Sequence, residues 1–440
     1  MQPATRCHAA GFLALALLGA ACPGLSTSTT PQDGGTSMGD AGPGGTPPVD
    51  ILFVVDNSGS MAEEQAALQE VIAGQCAPGG DCAGRCDTPQ EVEALRAFMA
   101  HEDVRGLPPE RWESVAGTQG AEFAATWSGC HFLERLLAAG VDFQIGVITT
   151  DDGEQDNVGG PFCVPPDSGR TGGVFQRGCL QGRWNVDEPR LVRSSDGDVA
   201  FLSRKLREII SNVGTCGSGF EEGLDSIRAF LDPAVTPADA SCDAERSAFL
   251  RHASAASPEP RLVVVILSDE NDCTHYDRED GINETRMAET SRCYSDADEL
   301  RPVSEFVGFL QGLKPSPSLL NIAAIVAGTR DNDGSFVSGD CRCNGSAPGA
   351  YPILQCTPAH GASISVVECG EPVANAYCGQ LPFHEDPAGG PTAQDCCTGD
   401  RADRYVGLAL GPGNGPAFLD SICGHTYEKV LAELANHLTR

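Results

Sequence analysis

The sequence predicts an α/β fold: an open, doubly wound, mostly parallel sheet with helices on both faces, carrying long cysteine-rich loops. Three observations point to it. Apolar runs of strand length recur along the chain without the alternation of a half-exposed strand. Stretches of helical period separate them. Strand, helix, strand, helix is the order that lays a mostly parallel sheet between two helical layers.

The elements follow in chain order. The first strand is Val49–Val55 (VDILFVV), and Ser60–Ile72 then places Met61, Leu68, Val71 and Ile72 on one side of a helix. Phe143–Thr149 (FQIGVIT) reads as the second strand, and Phe201, Leu202, Leu206, Ile209 and Ile210 mark a helix beyond it. Another helix is expected over Glu221–Leu231. Leu262–Leu267 (LVVVIL), Leu320–Ala327 (LNIAAIVA) and Tyr405–Leu410 (YVGLAL) read as three more buried strands. Tyr427, Val430, Leu431, Leu434 and Leu438 fall on one face of the last helix.

Composition limits the partners. The 440 residues hold 61 Asp+Glu against 29 Lys+Arg, a formal net charge of −32. A phosphate-binding surface needs a basic excess, so nucleic acid and anionic lipid are set aside. Hydrophobic residues make up 41% of the chain, enough for a packed core. The 20 Cys are out of scale for a cytosolic protein and indicate an oxidising compartment.

The start of the chain agrees. Arg6 precedes an apolar run over 11–21 (GFLALALLGAA), followed at once by Cys22. That run is shorter than the roughly 20 residues a spanning helix needs, and no later run reaches that length. Residues 1–21 therefore read as an export signal. Small residues before Cys22 resemble the lipobox of bacterial lipoproteins, although Gly19 stands where the pattern prefers Leu. The resemblance implies acylation of Cys22; ordinary secretion, with cleavage after Ala20 or Ala21, is the alternative. Residues 22–48 are nearly all Gly, Pro, Ser, Thr and Asp and read as a flexible tether. The expected place is the cell envelope, as an outer-membrane lipoprotein or at the cell surface, with membrane contact only through the lipid.

Setting aside Cys7 and Cys22 leaves 18 Cys, ten between Cys76 and Cys293 and eight between Cys341 and Cys423. They read as disulfides that pin loops, each contributing about 2–4 kcal/mol. Cys163 with Cys179 and Cys273 with Cys293 are candidate pairs. A zinc site at Cys341-Arg342-Cys343 or Cys396-Cys397 lacks a His at zinc-finger spacing.

Ligands of open α/β sheets bind outside the carboxyl ends of the strands. The first strand ends in Asp56-Asn57-Ser58-Gly59-Ser60, and a helix starts immediately after. Three short oxygen side chains at alternate positions can converge on one hard cation. A purely structural reading makes Ser60 a helix N-cap and Asp56 a turn residue. The strand Leu262–Leu267 favours the cation, because it too runs into an acid, Asp269, within Ser268-Asp269-Glu270-Asn271-Asp272.

Asp-x-Ser-x-Ser after an apolar first strand resembles the metal-ion-dependent adhesion site of von Willebrand factor type A domains. The resemblance implies a divalent cation, Mg²⁺ first with Ca²⁺ or Mn²⁺ behind it, held by Asp56, Ser58, Ser60, Thr215 and Asp269. Asp269 matches the family's Asp after the fourth strand. Thr215 matches its loop Thr, since Gly214-Thr215-Cys216-Gly217 lies between the 201–210 and 221–231 helices; Thr149 or Thr150 is the other choice. The family also leaves one coordination position open for a carboxylate of the partner, which implies a protein, matrix or polysaccharide ligand. Two departures matter. The family's Thr-Asp-Gly reads Ser268-Asp269-Glu270 here, placing a second carboxylate beside the site. The domain, 49–440, is also much longer than usual, with extra chain at about 74–90, 151–200, 273–301 and 330–404. The three large additions follow strands expected to run parallel to the first, so they should emerge on the metal side and rim the site.

No enzyme is expected: His-Glu-x-x-His and a phosphate-binding Gly-Lys loop are missing from the sequence, and Gly-x-Ser-x-Gly does not occur beyond the tether. A metal-dependent adhesion or binding module is the leading reading. The alternatives are a secreted hydrolase built on the cysteine-rich insertions and an envelope structural protein with a non-functional metal site. Acidic runs at 151–154, 277–280 and 331–334 lack the closing Glu of a twelve-residue calcium loop and read as solvated loop charge.

Overall fold

In the computed structural model of the protein, four of the five apolar runs form the centre of one sheet. The structure describes residues 47–58, 61–73, 88–150, 179–182, 189–214, 217, 221–232, 234, 243–254, 257–275, 300–330, 335–344, 353–358, 401–422 and 427–439. The strands are β1 (Val49–Val55), β2 (Phe143–Thr149), β3 (Val192–Arg193), β4 (Arg261–Ser268), β5 (Leu320–Val326), β6 (Gly328–Arg330), β7 (Phe336–Asn344), β8 (Ile353–Pro358) and β9 (Ala417–Ser421). The helices are α1 (Ala62–Ala73), α2 (Pro89–Met99), α3 (Pro109–Ser128), α4 (Phe132–Ala138), α5 (Val199–Ser211), α6 (Gly223–Leu231), α7 (Asp243–Phe249), α8 (Val303–Gly312), α9 (Asp403–Ala409) and α10 (Glu428–Leu438).

The main sheet has the order β3-β2-β1-β4-β5-β9. β1 pairs in parallel with β2 on one side and β4 on the other, β4 with β5, and β5 with β9; only β3, at the edge, is antiparallel. Every residue of β1, β2 and β5 is buried, which is why these strands read as unbroken apolar runs. Side chains of a strand alternate between faces, and the two faces carry separate cores. Val49, Ile51, Phe53 and Val55 pack with α1, α2, α4, α5 and α10. Leu52 and Val54 pack with α6, α8 and α9. Each fully buried aliphatic side chain contributes about 1.5–3 kcal/mol, so the sheet's central strands carry much of the stability. The helices on both faces match the α/β reading.

One element differs from expectation. Tyr405–Leu410 is not a strand: it lies in α9, with Tyr405, Val406, Leu408 and Ala409 buried and Gly407 and Leu410 exposed. Spacings of one, three and four residues put those four side chains on a single helical face. The fifth parallel strand is instead β9, an edge strand whose residues are mostly half-buried and whose sequence, AFLDS, carries no long apolar run.

Several elements lie in or beside segments expected as additions. β3 and the start of α5 fall within 151–200, and a second, antiparallel sheet of order β6-β7-β8 follows β5 directly. α2 opens on a capping box, Thr88 with Glu91, and has Pro89 in its first turn. α3 is broken at Gly117, whose φ of 58° and ψ of −139° are open to glycine and strained for other residues. The export signal, Cys22 and the tether of residues 22–48 lie outside the described residues, apart from positions 47 and 48. Among the described residues, no helix is long and apolar enough to cross a membrane. Cys130, Cys179 and Cys273 are disulfide-bonded. Cys163 and Cys293, their expected partners in two pairs, lie outside the described residues.

Candidate functional site

The strand order reverses between β1 and β4: from β1 the chain builds outward to β2 and β3, and from β4 to β5 and β9. A cleft at such a switch point, at the carboxyl ends of the strands, is where open α/β sheets bind ligands. The two strands are in full register, Val55 opposite Leu267, so the residues that follow them meet. They are Asp56, Asn57 and Ser58 after β1, and Ser268 and Asp269 at the end of β4. All five are buried.

Hydrogen bonds fix the Asp56 carboxylate from both strands. Its Oδ1 accepts from the Ser58 backbone N–H at 2.8 Å and its Oδ2 from the Ser268 hydroxyl at 2.6 Å. Its own N–H donates to Leu267 O at 2.9 Å. Complete burial pushes the Asp56 carboxyl above the usual carboxylate range, against hydrogen bonds from Ser268 and Ser58 that favour its charged form. Asn57, between the two expected ligands, is fully buried, and neither its Oδ1 nor its Nδ2 finds a hydrogen-bond partner. A fully buried amide without partners is rare in a folded chain and calls for an explanation.

Gln65 of α1 ties the site to a neighbouring loop. Its Nε2 donates to Asp56 O and to Gly214 O, each at 2.8 Å. Gly217 N donates to Asn57 O at 2.8 Å. A β-carbon on Gly217 would stand 2.4 Å from Asn57 Cγ, so only glycine allows this approach.

A polar lattice supports the loop after β4. Asp272 Oδ1 accepts from Leu224 N at 2.8 Å and so caps the start of α6 from a distance. Arg404 of α9 donates from Nε to Asp272 Oδ2 at 2.9 Å. Arg301 pairs with Asp225 at 3.3 Å, and His275 with Glu222 at 2.6 Å. These links hold the segment that carries Asp269 between α6 and α9.

Of the five residues expected to hold a metal, Asp56, Ser58 and Asp269 are brought together at the ends of β1 and β4. Ser60 and Thr215 lie outside the described residues. Thr149 and Thr150, the other choice for the threonine, are buried after β2, and the Thr150 hydroxyl is donated to Glu221 Oε2. Glu270 is half-buried, and its backbone N–H donates to Ser268 Oγ at 3.2 Å. Sequence reasoning missed Gln65, Glu221 and Tyr405, which reach the site from α1, from the residue pair before α6 and from α9. Their separations in sequence left no local signal. Among the described residues, no group of three or more His, Cys, Asp or Glu is arranged to hold a metal ion. Carboxylate and hydroxyl oxygens such as those of Asp56, Ser58 and Asp269 are the donor type that Mg²⁺ and Ca²⁺ take.

Comparisons with protein-family models, curated proteins and solved structures return no match to the chain.

Proposed function

We propose that the protein is an exported, lipid-anchored binding module, similar to von Willebrand factor type A domains, that uses a divalent cation to hold a partner. The observation that carries this reading is the convergence of Asp56, Ser58 and Asp269, all buried, at the β1–β4 switch point. The structural alternative, a turn and a helix cap, gives no reason to bury Asp56 and Asp269 after neighbouring strands together with an orphaned amide.

In this reading the chain's own residues prepare the site. Ser268 and the Ser58 backbone hold the Asp56 carboxylate in one orientation. The lattice of Asp272, Arg404 and Leu224 fixes the segment carrying Asp269. Ser58, Ser60 and Thr215 would add hydroxyl oxygens. A bound cation supplies an electrophilic position for an acidic group of the partner, which is a protein, a matrix component or a polysaccharide. The net charge of −32 slows the approach of a strongly acidic partner at low salt, so association should quicken as salt screens it.

Thermal unfolding of the oxidised protein, in EDTA and then with Mg²⁺, Ca²⁺ or Mn²⁺, tests the proposal. For a dissociation constant of about 0.1 mM and about 1 mM ion, linkage gives roughly 1.4 kcal/mol of stabilisation, a rise of a few degrees at most. The rise should vanish in Asp269→Ala. No rise with any of the three ions would defeat the metal reading.

A further inference from the structure

The segment that follows β4 is joined to its neighbours by ion pairs of two kinds. Arg404 of α9 donates from Nε to Asp272 Oδ2 at 2.9 Å and from Nη2 to Arg301 O at 2.7 Å. Arg301 in turn pairs with Asp225 of α6 at 3.3 Å. These two cations are guanidinium groups, which keep their charge throughout the physiological range. The third cation is an imidazole: His275 Nδ1 lies 2.6 Å from Oε1 of Glu222, the residue that opens onto α6. Imidazole is the side chain whose ordinary charge change falls between about pH 5 and 8.

Burial makes the charge on that ring matter. The Glu222 side chain is 4% exposed and that of His275 16%, so the carboxylate has little water to fall back on. The two facing atoms complete no aligned hydrogen bond in spite of their separation, so opposite charge holds the contact. The other charged groups around it are committed elsewhere. Asp272, two residues before Thr274, takes Arg404, and Asp225 takes Arg301. Glu221 accepts from the Thr150 hydroxyl, and the Tyr405 hydroxyl of α9 lies against Gly223.

We propose that His275 and Glu222 form a proton-operated stitch. With the ring protonated, residues 272–275 are bound to the start of α6; with the ring neutral, that bond slackens. The arginine pairs persist, so the change is a local loosening and the sheet stays folded. A histidine that gains a carboxylate partner on folding contributes stability that is fully present in acid and is lost as pH rises. Asp269 belongs to the same segment, so the proton sets how firmly that residue is held, whether or not an ion binds beside it.

Hydrogen exchange of the oxidised protein in EDTA, at about pH 5 and about pH 8 and corrected for the intrinsic rate, tests the stitch. In the wild type, peptides covering 272–275 and 222–226 should exchange several-fold faster at the higher pH, while those of β5 should not. His275→Gln and Glu222→Gln should both lose that pH dependence, because neither can form the charged pair. Should one variant not fold, the other gives the same comparison. A wild type whose corrected exchange in these peptides ignores pH would overturn the proposal, and so would a pH dependence that survives in the variants.

Discussion

Arg251 reaches from beyond α7 to the start of β1 and donates from Nε to Asp50 Oδ1 at 2.6 Å. Asp50 is fully buried and also accepts from the Arg251 backbone at 2.9 Å and from Gln144 Nε2 at 3.1 Å. Burial nevertheless outweighs Arg251 and raises the Asp50 carboxyl above its ordinary value. The pair lies at the end of the sheet away from the candidate site.

Removing Arg251 alone strands a buried carboxylate. Arg251→Ala should lose about 3–5 kcal/mol in urea unfolding, and Asp50→Asn in the same chain should restore part of it. A loss within the error of the measurement would mean that Gln144 and the backbone suffice to hold Asp50.

The Asp56 carboxyl makes stability depend on pH in a definite sense. Its folded pKa lies above the unfolded one, so its contribution is fully present below about pH 4 and is lost as pH rises through the folded value. Asp56→Asn does not titrate. In EDTA it should gain on the wild type as pH climbs toward neutrality, while losing the stabilisation that metal provides. Urea unfolding of both proteins across that range decides the point; a wild type that gains on the variant would reverse the sign assigned here.

Ser268 bridges the two strands by donating to Asp56 Oδ2 at 2.6 Å and also meets the Glu270 backbone at 3.1–3.2 Å, so Ser268→Ala removes the short bond to the carboxylate together with these longer ones. Hydrogen bonds to charged groups contribute about 1.5–3 kcal/mol, and the variant should lose that much at neutral pH. The loss should shrink in acid as Asp56 protonates, which unfolding at two pH values would reveal.

Gly223 opens α6 against Tyr405. A β-carbon there would stand 2.4 Å from the Tyr405 hydroxyl oxygen and 3.1 Å from Thr150 Cγ2. Gly223→Ala should cost about 1–3 kcal/mol through overpacking. Tyr405→Phe removes the obstructing oxygen, so the double variant should be more stable than the sum of the single effects predicts. Strict additivity would show that Thr150, not Tyr405, sets the constraint.

The central strands were legible because burial on both faces leaves an unbroken apolar run, as in VDILFVV. The same criterion misled at YVGLAL, where a short run fits a buried helix face equally well. It also passed over β9, whose place at the edge frees its sequence from the pattern. At the site, Asp56, Ser58 and Asp269 could be picked out because each follows a strand and the strands are parallel. Glu221 and Tyr405 could not, since their approach depends on how α6 and α9 dock and not on any spacing along the chain.

The break at Gly117 folds α3 back on itself. Trp112 and Trp127 are 15 residues apart, which along a straight helix would separate them by about 22 Å, yet their rings meet edge to face at 5.8 Å. Trp127 Nε1 also donates to Asn436 Oδ1 of α10 at 2.9 Å. The two indoles therefore form a built-in fluorescent probe of the layer that α3 and α10 share. Their emission will follow the loosening of that layer, whereas events at the ends of β1 and β4 will reach it only when the whole sheet gives way.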